Sequence, residues 1–204
     1  MILSALRECR VLPVVTAHDV ESTVQLARAL RRGGMKCIEI TLRTDAALDC
    51  ILAVQAEVPE LLVAAGTVNT PAALDLVAKA GVTLALSPGA TVELLRAAAD
   101  SGVFFIPGAA TASEVMQGMH YGFELFKFFP AEAAGGLEIL KALAAPFPQV
   151  QFCPTGGLNP GNFRSYLALP NVVCCGGSWM VSAELTRQGK WQEIEELARQ
   201  VMID

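Results

Sequence analysis

Short apolar runs alternate with longer amphipathic stretches along the whole chain. The runs are VLPVV (11–15), KCIEIT (36–41), LLVAAG (61–66), TLALSP (83–88), VFFIPG (103–108), FELFKFFP (123–130), VQFCPTGG (150–157) and NVVCCGG (171–177). Between them, segments such as ESTVQLARALRRG, AALDLVAKAG, VELLRAAADSG and ASEVMQGMHYG carry the spacing of one-sided helices. Runs rich in Val, Ile, Leu and Phe, separated by helices, predict βαβ units and a parallel sheet. Eight strands in 204 residues leave about 25 residues per unit, compact but workable for an α/β fold of the (β/α)8 TIM-barrel type. A degenerate repeat points the same way. Gly66, Gly89 and Gly108 each close a run and are followed by Thr67, Thr91 or Thr111, which can cap the next helix. Gly156–Gly157 with Asn159 repeats the arrangement. A doubly wound open sheet is the alternative, but it usually announces a nucleotide loop, and neither GxGxxG nor GxxxxGK occurs. The pattern therefore predicts a single (β/α)8 barrel domain over 1–204, with ILSALRECR as a short N-terminal helix closing the barrel bottom.

Composition narrows the partners. With 53% hydrophobic and 17% charged residues, the chain is neither disordered nor a coiled coil. A formal net charge of −5 gives no attraction to nucleic acid or to an anionic membrane. No apolar run approaches the roughly 18 residues of a membrane helix. Arg7, Glu8 and Arg10 do not suit a signal peptide, so a cytoplasmic protein is expected. The six cysteines include no C-x-x-C pair, and neighbours Cys174 and Cys175 face opposite sides of a strand. They read as small core hydrophobes. Only two histidines occur, His18 and His120, both near helix ends and expected at the surface. A metal site built from several imidazoles, or a His-dependent triad, is not expected.

The chemistry concentrates on two strands. Alternation in FELFKFFP puts Leu125, Lys127 and Phe129 on one face and Phe126 and Phe128 on the other. If the latter pair packs against helices, Lys127 points into the barrel, where desolvation disfavours an ammonium and frees the amine as a nucleophile. Taken alone, this lysine reads equally as half of a structural ion pair. In KCIEITLRT, Cys37, Glu39 and Thr41 share the face opposite Ile38 and Ile40, so Glu39 also points inward. Strands two and six contribute to the same inward layers, so Glu39 and Lys127 can meet across the lumen near its C-terminal mouth. An amine facing a carboxylate there suits imine chemistry with a general acid/base. Arg43 closes the second strand and Thr67 follows the third. They offer a fork and a hydroxyl to a carboxylate, although Arg43 also reads as an ordinary loop arginine. Gly156–Gly157 and Gly176–Gly177–Ser178 follow the last two strands, where backbone amides and a helix N-terminus form the phosphate site common in such barrels.

In this order, EITLRT, AAGTV, SPG, FKFFPAE, FCPTGG and GGSW resemble the 2-keto-3-deoxy-6-phosphogluconate (KDPG) and 4-hydroxy-2-oxoglutarate (KHG) aldolase family over essentially the whole chain. The resemblance implies a class I aldolase, usually a homotrimer, serving sugar-acid catabolism of the Entner-Doudoroff type without metal or other cofactor. It assigns the Schiff base to Lys127 and general acid/base work to Glu39. Pyruvate-carboxylate contacts fall to Arg43 and Thr67, and Thr155 lines the site with Pro88 and Phe129. Phosphate contacts fall to Gly156, Gly157, Gly177 and Ser178. The chain has Ala64-Ala65-Gly66-Thr67 where GAGT is usual, and EAAGG (132–136) where EANGG is common. A phosphogalactonate-cleaving enzyme with the same residues, and a non-catalytic sugar-phosphate-binding barrel, are the alternatives.

Overall fold

The protein is described by a computed structural model over residues 2–203. Strands β1 (Val11–Val15), β2 (Cys37–Thr41), β3 (Leu62–Gly66), β4 (Leu84–Leu86), β5 (Phe104–Ile106), β6 (Gly108–Ala109), β7 (Leu125–Phe128), β8 (Gln151–Pro154) and β9 (Cys175–Gly177) alternate with helices. The main helices are α1 (Ile2–Cys9), α2 (Val20–Arg32), α3 (Ala47–Glu57), α4 (Pro71–Lys79), α5 (Val92–Asp100), α6 (Ala112–His120), α7 (Gly136–Ala144), α8 (Phe163–Leu167), α9 (Ala183–Arg187) and α10 (Trp191–Met202). All strand pairs are parallel. One sheet runs β5-β4-β3-β2-β1-β9 and the other β6-β7-β8. Two features join them into a (β/α)8 barrel. The fifth stave continues from β5 into β6, and bridges Phe152↔Val172 and Thr155↔Gly176 join β8 to the β9 segment. The fifth apolar run is thus one stave broken at Pro107, which has no N–H for the ladder but whose carbonyl accepts from the Lys127 N–H at 2.9 Å.

The outer faces of the staves meet helices, as the alternation requires. Phe126 packs so tightly against α6 that a Cβ on Gly118 would collide with its ring. Phe126 and Phe128 also each contact the Phe152 ring, both pairs with centroids 6.3 Å apart. At the barrel bottom, α1 buries Leu6 and Cys9 against β1 and β2. All six cysteines are buried free thiols. The Cys153 and Cys174 sulfurs lie 3.5 Å apart, and that contact, with burial, pushes the Cys174 thiol well up. These side chains are packing groups. His18 and His120 are exposed. Among the described residues no helix is long and apolar enough to cross a membrane.

Two of the three repeated threonines cap helices as read from the sequence. Thr91 accepts from Leu94 N–H, and Thr111 forms a capping box with Glu114. Thr67 does not: α4 is capped by Thr70, three residues on. Asn159 also stands outside the helix it precedes, since α8 starts only at Phe163. Thr67 has another task, described below.

Candidate active site

β2 and β7 lie on opposite walls, four staves apart in either direction. On β2, Glu39 is in register with Val14 and Ala64; on β7, Lys127 is in register with Gly108 and Cys153. Both side chains reach into the lumen and meet there, with Nζ donating to Oε1 at 2.8 Å. Glu39 is 1% exposed and Lys127 4%. A pair this deep carries a desolvation penalty that its Coulomb attraction only partly repays, so stability is a poor reason for its presence. The second oxygen, Oε2, is buried and makes no hydrogen bond to any described residue, which leaves it open to a proton. Gly66 on β3 makes room for this carboxylate, because a Cβ there would collide with Oε1 and lie 2.7 Å from Cγ. The Lys127 ammonium stands 5.9 Å from the centre of the Phe129 ring at the mouth.

Arg43 and Thr67 come together at the same end of the barrel. Arg43 Nε donates to Thr67 Oγ1 at 3.2 Å, which leaves the two terminal nitrogens of the guanidinium to fork onto an anion. Thr67 holds this position with φ +60°, a left-handed conformation that costs a β-branched residue about 1–3 kcal/mol. The cap expected of Thr67 is replaced by a hydroxyl held beside an arginine on a left-handed backbone.

A cavity of about 240 Å³ opens over the ion pair. It brings together Arg43, Lys127, Phe129, Thr155, Gly156, Gly157, Gly177 and Ser178 from the sequence-derived set. Glu39 lies beneath it, and Thr67 reaches it through Arg43. Pro88 is not among the lining residues. Its carbonyl lies where a Cβ on Gly108 would go, so it packs the wall between the fourth and fifth staves. Sequence reasoning passed over Val14, Thr16 and Leu158, which also line the cavity, as does Gly176 of the Gly176–Gly177–Ser178 run. The parity of β1 pointed to two of them, since Leu12, Val14 and Thr16 alternate with the outward Val15. Gly176 is tight against Thr155, and Gly177 against the Trp179 ring, so neither position admits a side chain. The Gly156–Gly157 loop and the end of β9, where Gly176 and Gly177 belong to the strand itself, open into short elements. Ser178 precedes a three-residue 3-10 turn (Trp179–Val181), and α8 begins six residues after Gly157. An anion there would be held by loop amides more than by a helix dipole. A larger cavity, about 660 Å³, lies at the far end beside α1 and is lined by Glu8, Lys36 and Leu62 among others; it contains neither member of the buried pair. Among the described residues, no three His, Cys, Asp or Glu side chains gather where they could hold a metal ion.

Residues 2–197 match the family model "KDPG and KHG aldolase". The chain is 50% identical over 192 residues to the KHG/KDPG aldolase of Escherichia coli K12, which covers 94% of this chain and 90% of that protein. The crystal structure of a KDPG aldolase from Legionella pneumophila, with pyruvate captured as a covalent carbinolamine, superposes with a TM-score of 0.95 at 44% identity over 98% of both chains. A native KDPGal structure superposes less closely, with a TM-score of 0.81 at 25% identity over 93% of both.

Proposed function

The chain belongs to the KDPG and KHG aldolase family, and we propose that Lys127 is the imine-forming amine and Glu39 the acid/base of its reaction. The protein is a class I aldolase that cleaves 2-dehydro-3-deoxy-6-phosphogluconate to pyruvate and glyceraldehyde 3-phosphate. One observation carries the residue assignment: a single amine and a single carboxylate, both buried, face each other at 2.8 Å beneath the cavity. Transfer of the shared proton to Glu39 leaves a neutral amine that attacks the C2 ketone. The carbinolamine hydroxyl takes that proton back and departs as water, giving an iminium. The Glu39 carboxylate then removes the C4 hydroxyl proton, through a water if one bridges. The C3–C4 bond breaks, its electrons pass into the iminium, and glyceraldehyde 3-phosphate leaves. Protonation of the resulting enamine at C3 and attack of water on the pyruvate iminium release pyruvate and restore the amine.

The other residues divide between the two ends of the substrate. The free edge of Arg43 and the Thr67 hydroxyl fit the C1 carboxylate. The amides of Gly156, Gly157 and Gly177, with Ser178, fit the phosphate. The same residues without the phosphate contacts would serve 4-hydroxy-2-oxoglutarate, giving pyruvate and glyoxylate. Gluconate is favoured over the galactonate epimer by the comparisons, 50% identity to a KHG/KDPG aldolase against 25% to the KDPGal structure. We also infer a homotrimer of single-barrel chains acting in the cytoplasm without a metal, on the strength of the family resemblance. Initial rates of pyruvate release from both C4 epimers and from 4-hydroxy-2-oxoglutarate, with and without EDTA, test the reading. It predicts the fastest cleavage for the gluconate epimer and no loss in EDTA. Preference for the galactonate epimer, or a loss in EDTA restored by a divalent ion, would overturn it.

A further inference from the structure

The turn after β7 carries a carboxylate that the cleavage steps do not use. Glu132 is an exposed residue, yet both ends of its side chain are engaged. Tyr166 on α8, fully buried, donates its hydroxyl to Glu132 Oε1. Burial, and after it this hydrogen bond to a carboxylate, push the Tyr166 hydroxyl well above its ordinary range, so it stays a donor. The stem of Glu132 lies across the phosphate loop: a Cβ on Gly157 would be 2.6 Å from both Glu132 Cβ and Cγ. The backbone repeats the attachment. Ala131 N–H donates to Thr155 O at 2.8 Å, and Glu132 N–H donates to Gly156 O at 3.1 Å.

The loop needs such support. Gly156 (φ +102°) and Gly157 (φ +83°) are consecutive left-handed residues with no side chains of their own to fix them. On its other side, the Gly157 carbonyl accepts from Asn162 Nδ2 at 3.3 Å and Asn159 Nδ2 at 3.4 Å. These neighbours help to select one orientation of the loop amides. The charge of Glu132 matters too, because a free carboxylate beside an anion site would repel a dianion. Its bond to Tyr166 turns one oxygen toward α8 and limits that swing.

We propose that Glu132, anchored by Tyr166, is a positioning residue that holds the Gly156–Gly157 loop in the shape that receives the substrate's phosphate. This rests on the reading of that loop as the phosphate site. The test is the kcat and KM of Tyr166→Phe, Glu132→Ala and Glu132→Gln on the phosphorylated substrate and on 4-hydroxy-2-oxoglutarate. Tyr166→Phe and Glu132→Ala should each raise KM for the phosphorylated substrate about tenfold, the loss of one charge-assisted hydrogen bond. Their kcat, and both constants for 4-hydroxy-2-oxoglutarate, should stay within about twofold. Glu132→Gln keeps an acceptor for Tyr166 without the charge, so its KM for the phosphorylated substrate should fall between the wild type and Glu132→Ala. Glu132 is exposed, so its alanine variant carries the test even if Tyr166→Phe fails to fold. Equal losses on both substrates, or an unchanged KM in Glu132→Ala, would overturn the proposal. Competition by inorganic phosphate in the wild type checks the premise separately. Absence of competition removes the phosphate site itself, whereas competition with unchanged KM in Glu132→Ala removes only the role of Glu132.

Discussion

Gly66→Ala places one methyl group against the proposed acid/base and leaves the amine untouched. Gly66 lies on β3 in register with Thr41, one stave from Glu39, and its φ is not left-handed, so alanine meets no backbone obstacle there. The obstacle is Glu39. The added Cβ would lie 2.7 Å from its Cγ and 2.8 Å from its Cδ, and nearer still to Oε1. Carbon atoms settle at about 3.5 Å or more, so the side chain must retreat by at least roughly 0.8 Å, and by more at Oε1. A comparable shift away from Lys127 stretches the 2.8 Å hydrogen bond beyond its useful range. Misplacement of about 1 Å in a reacting group costs on the order of 10²-fold in rate. The same crowding should cost about 1–3 kcal/mol of stability, a drop of several degrees in Tm for a chain of this size. The assay is kcat for cleavage, followed through pyruvate release, with thermal unfolding run in parallel. A fall of about 10²-fold in a folded variant that still forms the pyruvate imine supports the argument. A kcat within twofold of wild type would refute the assignment of proton transfer to Glu39.

The buried pair also makes a stability prediction. Lys127→Met should abolish cleavage and destabilise the fold by about 3–5 kcal/mol, because the Glu39 carboxyl is left without its partner at 1% exposure. Adding Glu39→Leu should restore most of that stability in denaturant titrations while activity stays absent; a further loss would mean the pair stabilises the fold on its own account. At the phosphate end, Ser178→Asp puts a carboxylate on an exposed lining position. It should raise KM for the phosphorylated substrate by more than about tenfold and leave 4-hydroxy-2-oxoglutarate nearly unaffected, since a like charge would then face the phosphate directly. Equal effects on the two substrates would place the phosphate elsewhere. Gly157 is a poorer place for this test, because any side chain there strikes Glu132 before it reaches a ligand.

Much of the site was legible because a strand has a period of two and a barrel has only two faces. Parity alone directed Glu39 and Lys127 inward, and the count of staves put them on opposite walls. Parity reached Arg43 less well, since beyond Thr41 the chain leaves the strand, and only the contact with Thr67 shows where the guanidinium sits. Thr67 reads both as a cap and as a carboxylate contact, because a threonine after a glycine offers the same hydroxyl to a helix or to a ligand; only the cap does not form. The left-handed backbone that decides between them is a tertiary effect. Thr16 and Val14 were readable from β1, whereas Leu158 follows two glycines and has no periodicity to betray it. The break at Pro107 was written in the missing N–H. The Tyr166–Glu132 contact was not readable, because it joins residues 34 apart through the packing of α8 on the β7 turn.

Borohydride reduction in the presence of pyruvate, followed by peptide mass spectrometry, tests the central claim at one atom. Reduction converts the imine to a stable secondary amine carrying the pyruvate carbons. Of the five lysines, only Lys127 is buried within the barrel beneath the cavity; Lys36, Lys79, Lys141 and Lys190 are exposed. The account predicts a single adduct, on Lys127. It should be lost in Lys127→Ala and in Lys127→Arg, whose guanidinium stays charged, whereas Glu39→Gln should still form some adduct on Lys127 but turn over slowly. An adduct on Lys36 or Lys141, or none on a cleavage-competent wild type, would contradict the assignment and the mechanism built on it.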